Sequence, residues 1–323
     1  MMIRVGLIGC GKISERHISA FSKIKEAKIT AVCDISSEKV AYAAELTGAQ
    51  KYSDYIDMID NAELDLAVVN LPHSLHNPCV CECARRGLDV FLEKPMGISV
   101  KDCDEMIAAC KEAGIMLWVG HGQSFEPVNI RAKEIVESGK LGKLISVTET
   151  RNTIYFTEDR PRWFLDKNIS GGGIMVNLGA HTLDRIKFFA GGDIQYAFGG
   201  IHIPQGMTVE NNVQAFVKTT TGVTAAINLV GHTAAYQYLT VLYLSDGEIR
   251  IHDDDTIEVC GRDGEFETVD CSCGLSEMDL QMKCLVKTIM AGSKPQISGD
   301  YGKDIIRAIE NIYDTEAIFA SKV

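Results

Sequence analysis

The sequence predicts an α/β protein of two domains. A doubly wound parallel sheet is expected over residues 1–122, and an α+β domain with a large, open, mostly antiparallel sheet over residues 123–323. The chain has 323 residues, which is more than a single hydrophobic core usually supports. Strand and helix patterns alternate up to about residue 122, as in a parallel sheet covered on both faces. Beyond that point strands follow one another, which favours antiparallel pairing.

In the first half, short apolar runs rich in β-branched residues alternate with amphipathic patterns. The predicted strands are Ile3–Ile8, Ile29–Cys33, Leu64–Leu71, Val90–Leu92 and Ile115–Val119. The predicted helices contain Ile13 to Ile24, Ser36–Leu46, His76–Arg86 and the residues that follow Ser99. Ser36 and Ser99 are suitable N-caps for two of these helices.

The second half begins with a predicted helix and then consists largely of strands. Helices are predicted at Pro127–Ser138, from the Gly171-Gly172-Gly173 tract to Phe189, at Ser276–Ala291 and at Asp304–Ser321. The predicted strands are Leu144–Thr150, Gln195–Ile203, Val213–Thr219, Val223–Leu229, Tyr238–Leu244, Glu248–His252 and Thr256–Cys260. Tyr238–Leu244 is apolar on both faces, which predicts a sheet-to-sheet contact in a homodimer or homotetramer; a covering loop is the alternative.

Composition excludes several classes of partner. Lys and Arg total 32 against 44 Asp and Glu, and this acidic balance without a basic stripe argues against nucleic acid and anionic membranes. The eleven cysteines are scattered and lack zinc-site spacing, so a reducing compartment and no metal site are expected. No signal peptide and no apolar stretch of about 20 residues is found, so the sequence predicts a soluble, cytoplasmic protein.

A glycine loop follows the first predicted strand and precedes the first helix. In Gly9-Cys10-Gly11-Lys12-Ile13-Ser14, Gly9 would allow the tight turn and Gly11 would let the backbone approach a pyrophosphate. Ser14 takes the third, packing position in place of glycine. The helix N-terminus would offer N–H groups to the phosphates. A glycine turn of some other α/β protein is the alternative.

An acidic residue ends the second predicted strand. Asp34 lies about 20 residues beyond the glycine loop, where a carboxylate hydrogen-bonds the 2′-hydroxyl of an adenine ribose. Such a carboxylate repels a 2′-phosphate, so the sequence predicts NAD as the cofactor. Ser36, Ser37 and Lys39 could hold that phosphate, which leaves NADP as the alternative.

A charged pair follows the strand Val90–Leu92. Glu93-Lys94-Pro95 would lie at the carboxyl edge of the sheet, where open α/β folds bind their ligands. An ordinary surface ion pair is the alternative reading of the spacing.

Three groups of residues resemble the Gfo/Idh/MocA (glucose–fructose oxidoreductase, inositol dehydrogenase and rhizopine catabolism) family, over essentially the whole chain. The first contains Leu75-His76, Cys83-Ala84, Gly87, Val90 and Glu93-Lys94-Pro95. The second contains Gly171-Gly172-Gly173, Asn177, Gly179, His181 and Asp184. The third is the closing segment from Asp304-Ile305-Ile306-Arg307 through Tyr313.

The resemblance implies a Rossmann domain, an open-faced second domain whose sheet commonly mediates dimers or tetramers, and a nicotinamide cofactor with the substrate held between the domains. It places Lys12 and Ile13 at the pyrophosphate and Asp34 at the adenine ribose. It places Leu71, Pro72 and His76 beside the middle of the cofactor, Glu93 and Lys94 at the nicotinamide ribose, and Gln123 among the cofactor-binding residues. His181 matches the acid–base histidine of the family.

The chemistry of these residue types agrees with that assignment. Removing hydride from a carbinol carbon requires its hydroxyl to lose a proton, and histidine has an unperturbed pKa near 6.5. Lys94 as an ammonium would stabilise the developing alkoxide. On a helix, Asn177, His181 and Asp184 share one face, which predicts catalytic or substrate-binding roles for all three. A capped helix with a structural histidine is the alternative.

Two departures from the family bear on the site. Asn177 stands where many members carry aspartate, so it cannot stabilise an imidazolium by charge, and Lys94 would carry more of the acid–base role. Gly122–Phe125 replaces a stretch that often contains arginine. In the loop Arg151–Trp163, Tyr155 and Trp163 could contact a sugar face, or the loop could form a domain interface.

These features predict an NAD(P)-dependent oxidoreductase acting on a sugar, inositol or related polyol. The first alternative is an enzyme that uses tightly bound NAD for transient oxidation in glycoside cleavage or epimerisation. The second is a catalytically inactive nucleotide-sensing regulator, against which Lys94 and His181 argue.

Overall fold

The computed structural model describes residues 2–253, 255–271 and 274–320. These residues form two compact units. One contains the residues up to His121 together with Ser276–Lys303, and the other contains Gly122–Leu275 together with the residues from Asp304 onward.

The first unit is built on a six-stranded sheet in the order β3-β2-β1-β4-β5-β6, and every pair of neighbouring strands is parallel. This order is that of a doubly wound dinucleotide-binding sheet. Its strands are β1 (Ile3–Ile8), β2 (Ala27–Cys33), β3 (Gln50–Tyr52), β4 (Leu66–Val69), β5 (Asp89–Leu92) and β6 (Leu117–Val119). Its connecting helices are α1 (Lys12–Phe21), α2 (Ser37–Thr47), α3 (Tyr55–Asn61), α4 (His76–Arg85) and α5 (Val100–Ala113).

The central strands of this sheet are apolar and buried along their whole length. All four residues of β4 are 0% exposed, as are Val90, Phe91 and Leu92 in β5. Continuous apolar runs of this kind are typical of parallel strands that have helices on both faces. The predicted N-caps are confirmed, because Ser36 Oγ accepts from the N–H of Lys39 and Ser99 Oγ accepts from that of Asp102.

A segment from the C-terminal half completes the first unit. Helix α9 (Glu277–Ala291) contacts α1, and the N–H of Val119 in β6 donates to the carbonyl of Ile297 at 2.9 Å. Lys23 pairs with the Asp279 carboxylate at 2.8 Å. The single predicted boundary at residue 122 therefore differs from the compact units, because contacts of such long sequence separation leave no local pattern.

The second unit is built on an eight-stranded sheet in the order β14-β13-β12-β11-β7-β10-β9-β8. The pair β7–β10 is parallel and the other pairs are antiparallel, which confirms the mostly antiparallel prediction. The strands are β7 (Leu144–Ile154), β8 (Ile194–His202), β9 (Asn212–Thr219), β10 (Thr224–Val230), β11 (His232–Leu244), β12 (Gly247–His252), β13 (Thr256–Cys260) and β14 (Phe266–Val269). Its helices include α6 (Pro127–Glu137), α7 (Lys167–Ser170), α8 (Ala180–Ala190) and most of α10 (Gly299–Ala320).

One face of this sheet is covered by helices and the other is open. In β9, Val213, Ala215 and Val217 are buried whereas Gln214 and Phe216 are exposed. This strict alternation is typical of an antiparallel sheet with one covered face. On the covered side, Glu149, Thr240 and Arg185 are all buried, and Arg185 of α8 donates to Thr240 Oγ1 at 2.7 Å.

Several elements differ from the predictions. The edge strands β3 and β14 and the short helix α3 were not predicted, because most of their residues are polar or exposed. The helix predicted from the triglycine tract begins instead as a π-helical segment, Met175–Gly179, which leads into α8. The predicted end of the last helix at Ser321 lies outside the described residues. No helix in the described part of the chain is long and apolar enough to cross a membrane.

Candidate functional site

The glycine loop lies between β1 and α1, and its two glycines are required for different reasons. Gly9 has φ of +92°, and a Cβ there would lie 2.6 Å from the carbonyl oxygen of Asn70. Gly11 has an extended backbone, and a Cβ there would meet no protein atom within 4 Å. Gly9 is therefore needed to form the turn, whereas Gly11 leaves open space in front of it.

The N-terminus of α1 is suited to bind an anion. Gly11 is its N-cap, and no side chain caps the helix, so its first N–H groups are not used by a protein side chain. The Ser14 hydroxyl turns away and donates to the Gly11 carbonyl at 2.5 Å. Lys12 is exposed and Ile13 is half-buried at the same turn. Free amides, the helix dipole and the space at Gly11 together fit a pyrophosphate.

Asp34 is held at the end of β2 by the neighbouring backbone. Its Oδ2 accepts from the N–H of Cys10 at 2.8 Å, and its Oδ1 accepts from the N–H of Ser36 at 2.9 Å. These bonds orient the carboxylate beside the glycine loop. Ile35 is 96% exposed next to it and offers an apolar surface to a flat ring. Ile35 was not among the predicted site residues; its position directly after the acid that ends β2 was the available signal.

His76 connects the two loops that follow β4 and β5. Its ring is fully buried, with Nε2 2.9 Å from the Leu71 carbonyl and Nδ1 3.0 Å from the Pro95 carbonyl. Burial lowers its pKa, and the contacts with the three backbone carbonyls oppose this. Leu71 and Pro72 are half-buried. His76 therefore joins the loop after β4 to the loop after β5.

Lys94 is held by a buried carboxylate. Glu93, whose side chain is 12% exposed, contacts Nε2 of the buried His17 at 2.9 Å through Oε1 and accepts from the N–H of Lys94 at 3.1 Å through Oε2. Burial alone would raise the pKa of Glu93, but the hydrogen bond and charge of His17, together with the charge and N–H of Lys94, lower it. Glu93 thus stays ionised and holds the backbone N–H of Lys94.

His17 was not among the predicted site residues. It lies on α1, and its ring meets the Phe91 ring edge-on with centroids 5.5 Å apart. The helical spacing places it correctly on the buried face, but its contact with Glu93 depends on the packing of α1 against the sheet. A histidine on an otherwise apolar helix face was the available signal.

The predicted residues of the first unit follow neighbouring parallel strands. The glycine loop follows β1, Asp34 follows β2, Leu71 follows β4 and Lys94 follows β5. Because the carboxyl ends of parallel strands meet at one edge of a sheet, these residues share that edge. The arrangement fits an extended dinucleotide.

In the second unit, Asn177 and His181 lie on consecutive segments of one helical run. Asn177 belongs to the π-helical turn, His181 lies in the first turn of α8, and both side chains are half-buried. Tyr155 is fully buried nearby. Burial raises the pKa of its phenol to about 12, whereas the Arg160 charge and the Asn177 side chain act in the opposite direction.

Asp184 and Gln123 form a buried support within the second unit. Asp184 is 0% exposed, and its Oδ2 accepts from the N–H of Gln123 at 2.9 Å. The Gln123 side-chain oxygen accepts from Arg185 Nε at 2.8 Å and from Asn129 at 3.2 Å. One oxygen of the Asp184 carboxylate therefore bonds to backbone, and the side-chain oxygen of Gln123 bonds within the same unit.

The aromatic loop residues have different surroundings. The Arg160 guanidinium lies 4.1 Å from the centroid of the Tyr155 ring, which is consistent with a structural role for both residues. Trp163 is half-buried and stacks on Phe164 with ring centroids 3.7 Å apart. Four residues were predicted to bind the substrate. In the structure, Asn177 interacts with Tyr155, whereas Asp184 accepts from the backbone of Gln123.

Comparison with known protein families agrees with this architecture. Residues 3–121 match the family model described as the oxidoreductase family with an NAD-binding Rossmann fold, and residues 130–267 match the Gfo/Idh/MocA C-terminal domain. The chain belongs to the Gfo/Idh/MocA family of oxidoreductases. The first unit of this family member is accordingly an NAD-binding Rossmann fold.

Relatives of this Gfo/Idh/MocA protein include enzymes of different net reactions. It is 24% identical to myo-inositol 2-dehydrogenase of Thermotoga maritima over 93% of this chain and 92% of the relative. It is 29% identical to 2,7-anhydro-N-acetylneuraminate hydratase of Escherichia coli over 59% of this chain, and that match spans only 50% of the relative. Its fold is similar to that of levoglucosan dehydrogenase solved with NADH and levoglucosan, with a TM-score of 0.89, 18% identity and 98% coverage of both chains.

The contrast between the two loop glycines gives a direct test of the phosphate site. Gly11→Ala is expected to leave the thermal unfolding midpoint close to that of wild type, because the added Cβ meets no protein atom within 4 Å. It should weaken NADH binding by about tenfold or more, equivalent to about 1.4 kcal/mol, because the methyl group obstructs the pyrophosphate. NADH fluorescence titration and calorimetry measure the two effects.

Gly9→Ala is the matched variant. Its Cβ would lie 2.6 Å from the Asn70 carbonyl oxygen at a φ of +92°, so the unfolding midpoint itself should fall. Full NADH affinity in Gly11→Ala would show that the phosphates bind elsewhere.

Proposed function

We propose that this protein transfers hydride between NAD and a secondary carbinol or the corresponding ketone of a sugar, inositol or related polyol. The observation that carries the proposal is the way Lys94 is held. A buried, ionised Glu93, itself held by His17, fixes the backbone of this lysine at the carboxyl edge of the NAD-binding sheet. The name of the inositol dehydrogenase relative supports a polyol as the substrate.

The chemistry assigns separate roles to three residues. NAD, when bound, supplies the hydride acceptor. His181 accepts the proton of the substrate hydroxyl, and the Lys94 ammonium stabilises the alkoxide oxygen as negative charge develops on it. Asn177 binds a substrate hydroxyl or orients the imidazole, but as a neutral amide it does not stabilise the imidazolium by charge. Lys94 therefore carries more of the charge stabilisation than in relatives that have aspartate at this position.

Residues of the first unit would bind the cofactor along the sheet edge. Gly9, Gly11, Lys12 and Ile13 would contact the pyrophosphate, and Asp34 would accept from the adenine ribose. Because the Asp34 carboxylate repels a 2′-phosphate, we propose that NAD is preferred over NADP. Leu71 and Pro72 would contact the middle of the cofactor.

A screen of sugars, inositols and keto-sugars tests the reaction class. With NAD⁺ or NADP⁺, absorbance of the reduced nicotinamide should rise with at least one polyol, and the apparent affinity for NAD⁺ should exceed that for NADP⁺. Equal or tighter binding of NADP⁺ would contradict the role of Asp34. Absence of turnover across the screen would contradict the proposed function.

A second reaction is suggested by the names of two relatives. The hydratase relatives catalyse a reaction that is named for addition of water and not for oxidation. The same residues would serve such an enzyme if NAD stayed bound and were regenerated in each cycle. Product formed from an anhydro-sugar without release of NADH would support this second function.

The proposed acid–base residues can be tested singly. His181→Ala and Lys94→Ala are each expected to lower kcat by about 10²-fold or more, the usual contribution of such groups. NADH binding should survive the histidine change. His232→Ala, which alters an exposed histidine of the same unit, and Lys101→Ala, which alters an exposed lysine of the first unit, are the matched controls. Turnover near the wild-type rate in both test variants would refute the assignment.

We also propose that a second copy of this chain covers the open face of the eight-stranded sheet. One row across this face runs through paired strands and contains Phe198, Phe216, Ala226, Thr148 and Val241. Phe198 is 48% exposed and Phe216 37%, and their rings lie 5.3 Å apart. Exposed aromatic residues on a wide sheet face are typical of a homo-oligomer contact.

Charge on this face is expected to separate the copies. Phe216→Asp should shift the sedimentation coefficient toward that of a monomer, because two copies would each bury an unpaired carboxylate. Tyr42→Asp, at a similarly exposed aromatic residue on α2, should leave the assembly unchanged. Identical sedimentation of wild type and Phe216→Asp would place the contact elsewhere.

A further inference from the structure

The turn that precedes the His181 helix lies on a buried carboxylate. Glu210, in the connection between β8 and β9, is 2% exposed. Its two oxygens each lie 2.9 Å from the N–H of Gly173, and Oε1 also accepts from the N–H of Met175 at 2.9 Å and from the Tyr313 hydroxyl at 2.8 Å. One side chain thus receives donors from the triglycine turn, the π-helical segment and α10.

Two of the three glycines are explained by this contact. A Cβ on Gly172 would lie 2.1 Å from the Tyr313 hydroxyl oxygen, and a Cβ on Gly173 would lie 2.0 Å from the Glu210 carbonyl oxygen. Only Gly171 has a positive φ, at +82°. Gly172 and Gly173 are therefore needed for close approach to Glu210 and Tyr313, and not for an unusual backbone conformation.

The Glu210 carboxyl group lies at the N-terminal start of a helical run. The first N–H groups of a helical run have no partner within it, and the positive end of its dipole favours an anion. Burial raises the pKa of Glu210, while its bonds to the turn amides and to Tyr313 act in the opposite direction. Burial and the charge of Glu210 raise the pKa of the Tyr313 phenol, so that hydroxyl keeps its proton and donates.

The contact is connected to the proposed catalytic residues by short steps. The Gly173 carbonyl accepts from the N–H of Asn177 at 3.1 Å, and the Glu210 carbonyl accepts from that of Ile174 at 3.0 Å. Helix α8, with His181 in its first turn, continues directly from this segment. A displacement of Gly173 would therefore be passed along the backbone to Asn177 and His181.

We propose that Glu210 and Tyr313 are positioning residues that hold the triglycine turn and thereby set the orientation of Asn177 and His181. Neither residue was singled out by the sequence analysis for this role. The inference rests on the proposed function for the catalytic role of His181, but the position of that side chain can be measured without turnover.

The test compares Glu210→Gln and Tyr313→Phe with the matched control Thr219→Val. In Glu210→Gln, an amide NH₂ replaces one of the carboxylate oxygens that accept from the N–H groups of the turn. Tyr313→Phe removes the hydroxyl that donates to Glu210 and keeps the ring. Thr219 is also fully buried, and its hydroxyl donates to the Val223 carbonyl at 3.1 Å in a hairpin of the same unit. The control thus removes a buried hydrogen bond without touching the turn.

Two readouts need no substrate. Hydrogen exchange of a peptide covering residues 171–177 should accelerate in Glu210→Gln and Tyr313→Phe but not in Thr219→Val. In proteins with labelled histidine, the His181 ring resonance, assigned by its loss in His181→Ala, should shift and titrate at a different pH in Glu210→Gln. If exchange and the His181 titration in Glu210→Gln match those of Thr219→Val, the positioning role is overturned.

Kinetics complete the test when a substrate is turned over. Glu210→Gln should lower kcat by about 10- to 100-fold, as small displacements of a catalytic group do, with the Kd for NADH unchanged. Tyr313→Phe should lower kcat by about two- to tenfold, the effect of one hydrogen bond. Unchanged kcat in both variants would overturn the inference. If wild type turns over no substrate while hydrogen exchange and the His181 titration are still altered in Glu210→Gln, that result would contradict only the proposed function.

Discussion

The contact between Glu93 and His17 is the interaction on which the candidate site most depends. It joins α1, whose N-terminus forms the phosphate loop, to the segment after β5 that carries Lys94. Both side chains are buried or nearly so, and removing one partner of a buried pair typically costs about 3–5 kcal/mol. One helix therefore sets the position of the backbone amides at its start and, through His17 in its second turn, of the segment that carries Lys94.

In the second unit, too, a buried carboxylate holds a segment that carries proposed catalytic residues. Glu210 is a buried carboxylate with three kinds of donor, and it holds the segment that leads to Asn177 and His181. In both units the proposed catalytic side chain is half-buried, and a buried carboxylate that accepts from nearby donors holds the segment that carries it. In the proposed function, the reacting groups are placed by side chains that need not touch the substrate.

Part of the site could be predicted because short motifs such as the glycine loop strongly restrict the local backbone. Gly9, Gly11 and Asp34 follow from the requirements of a strand–turn–helix phosphate loop, and the structure places them at the turn and at the end of β2. His17 and Glu210 could not be predicted as supports. Their partners are separated by 76 and 37 residues, and nothing in the local sequence of either one specifies the contact.

The sequence by itself determined the alternation of strands and helices in the first unit, the succession of strands in the second and the family, because periodicity and short motifs are local properties. Tertiary structure decided that α9 joins the first unit, that a π-helical turn precedes α8, and that the Asp184 carboxylate accepts from the backbone of Gln123. These outcomes depend on which buried polar groups find partners once distant segments pack together. That pairing is a property of the folded chain and leaves no trace in the spacing of residues along it.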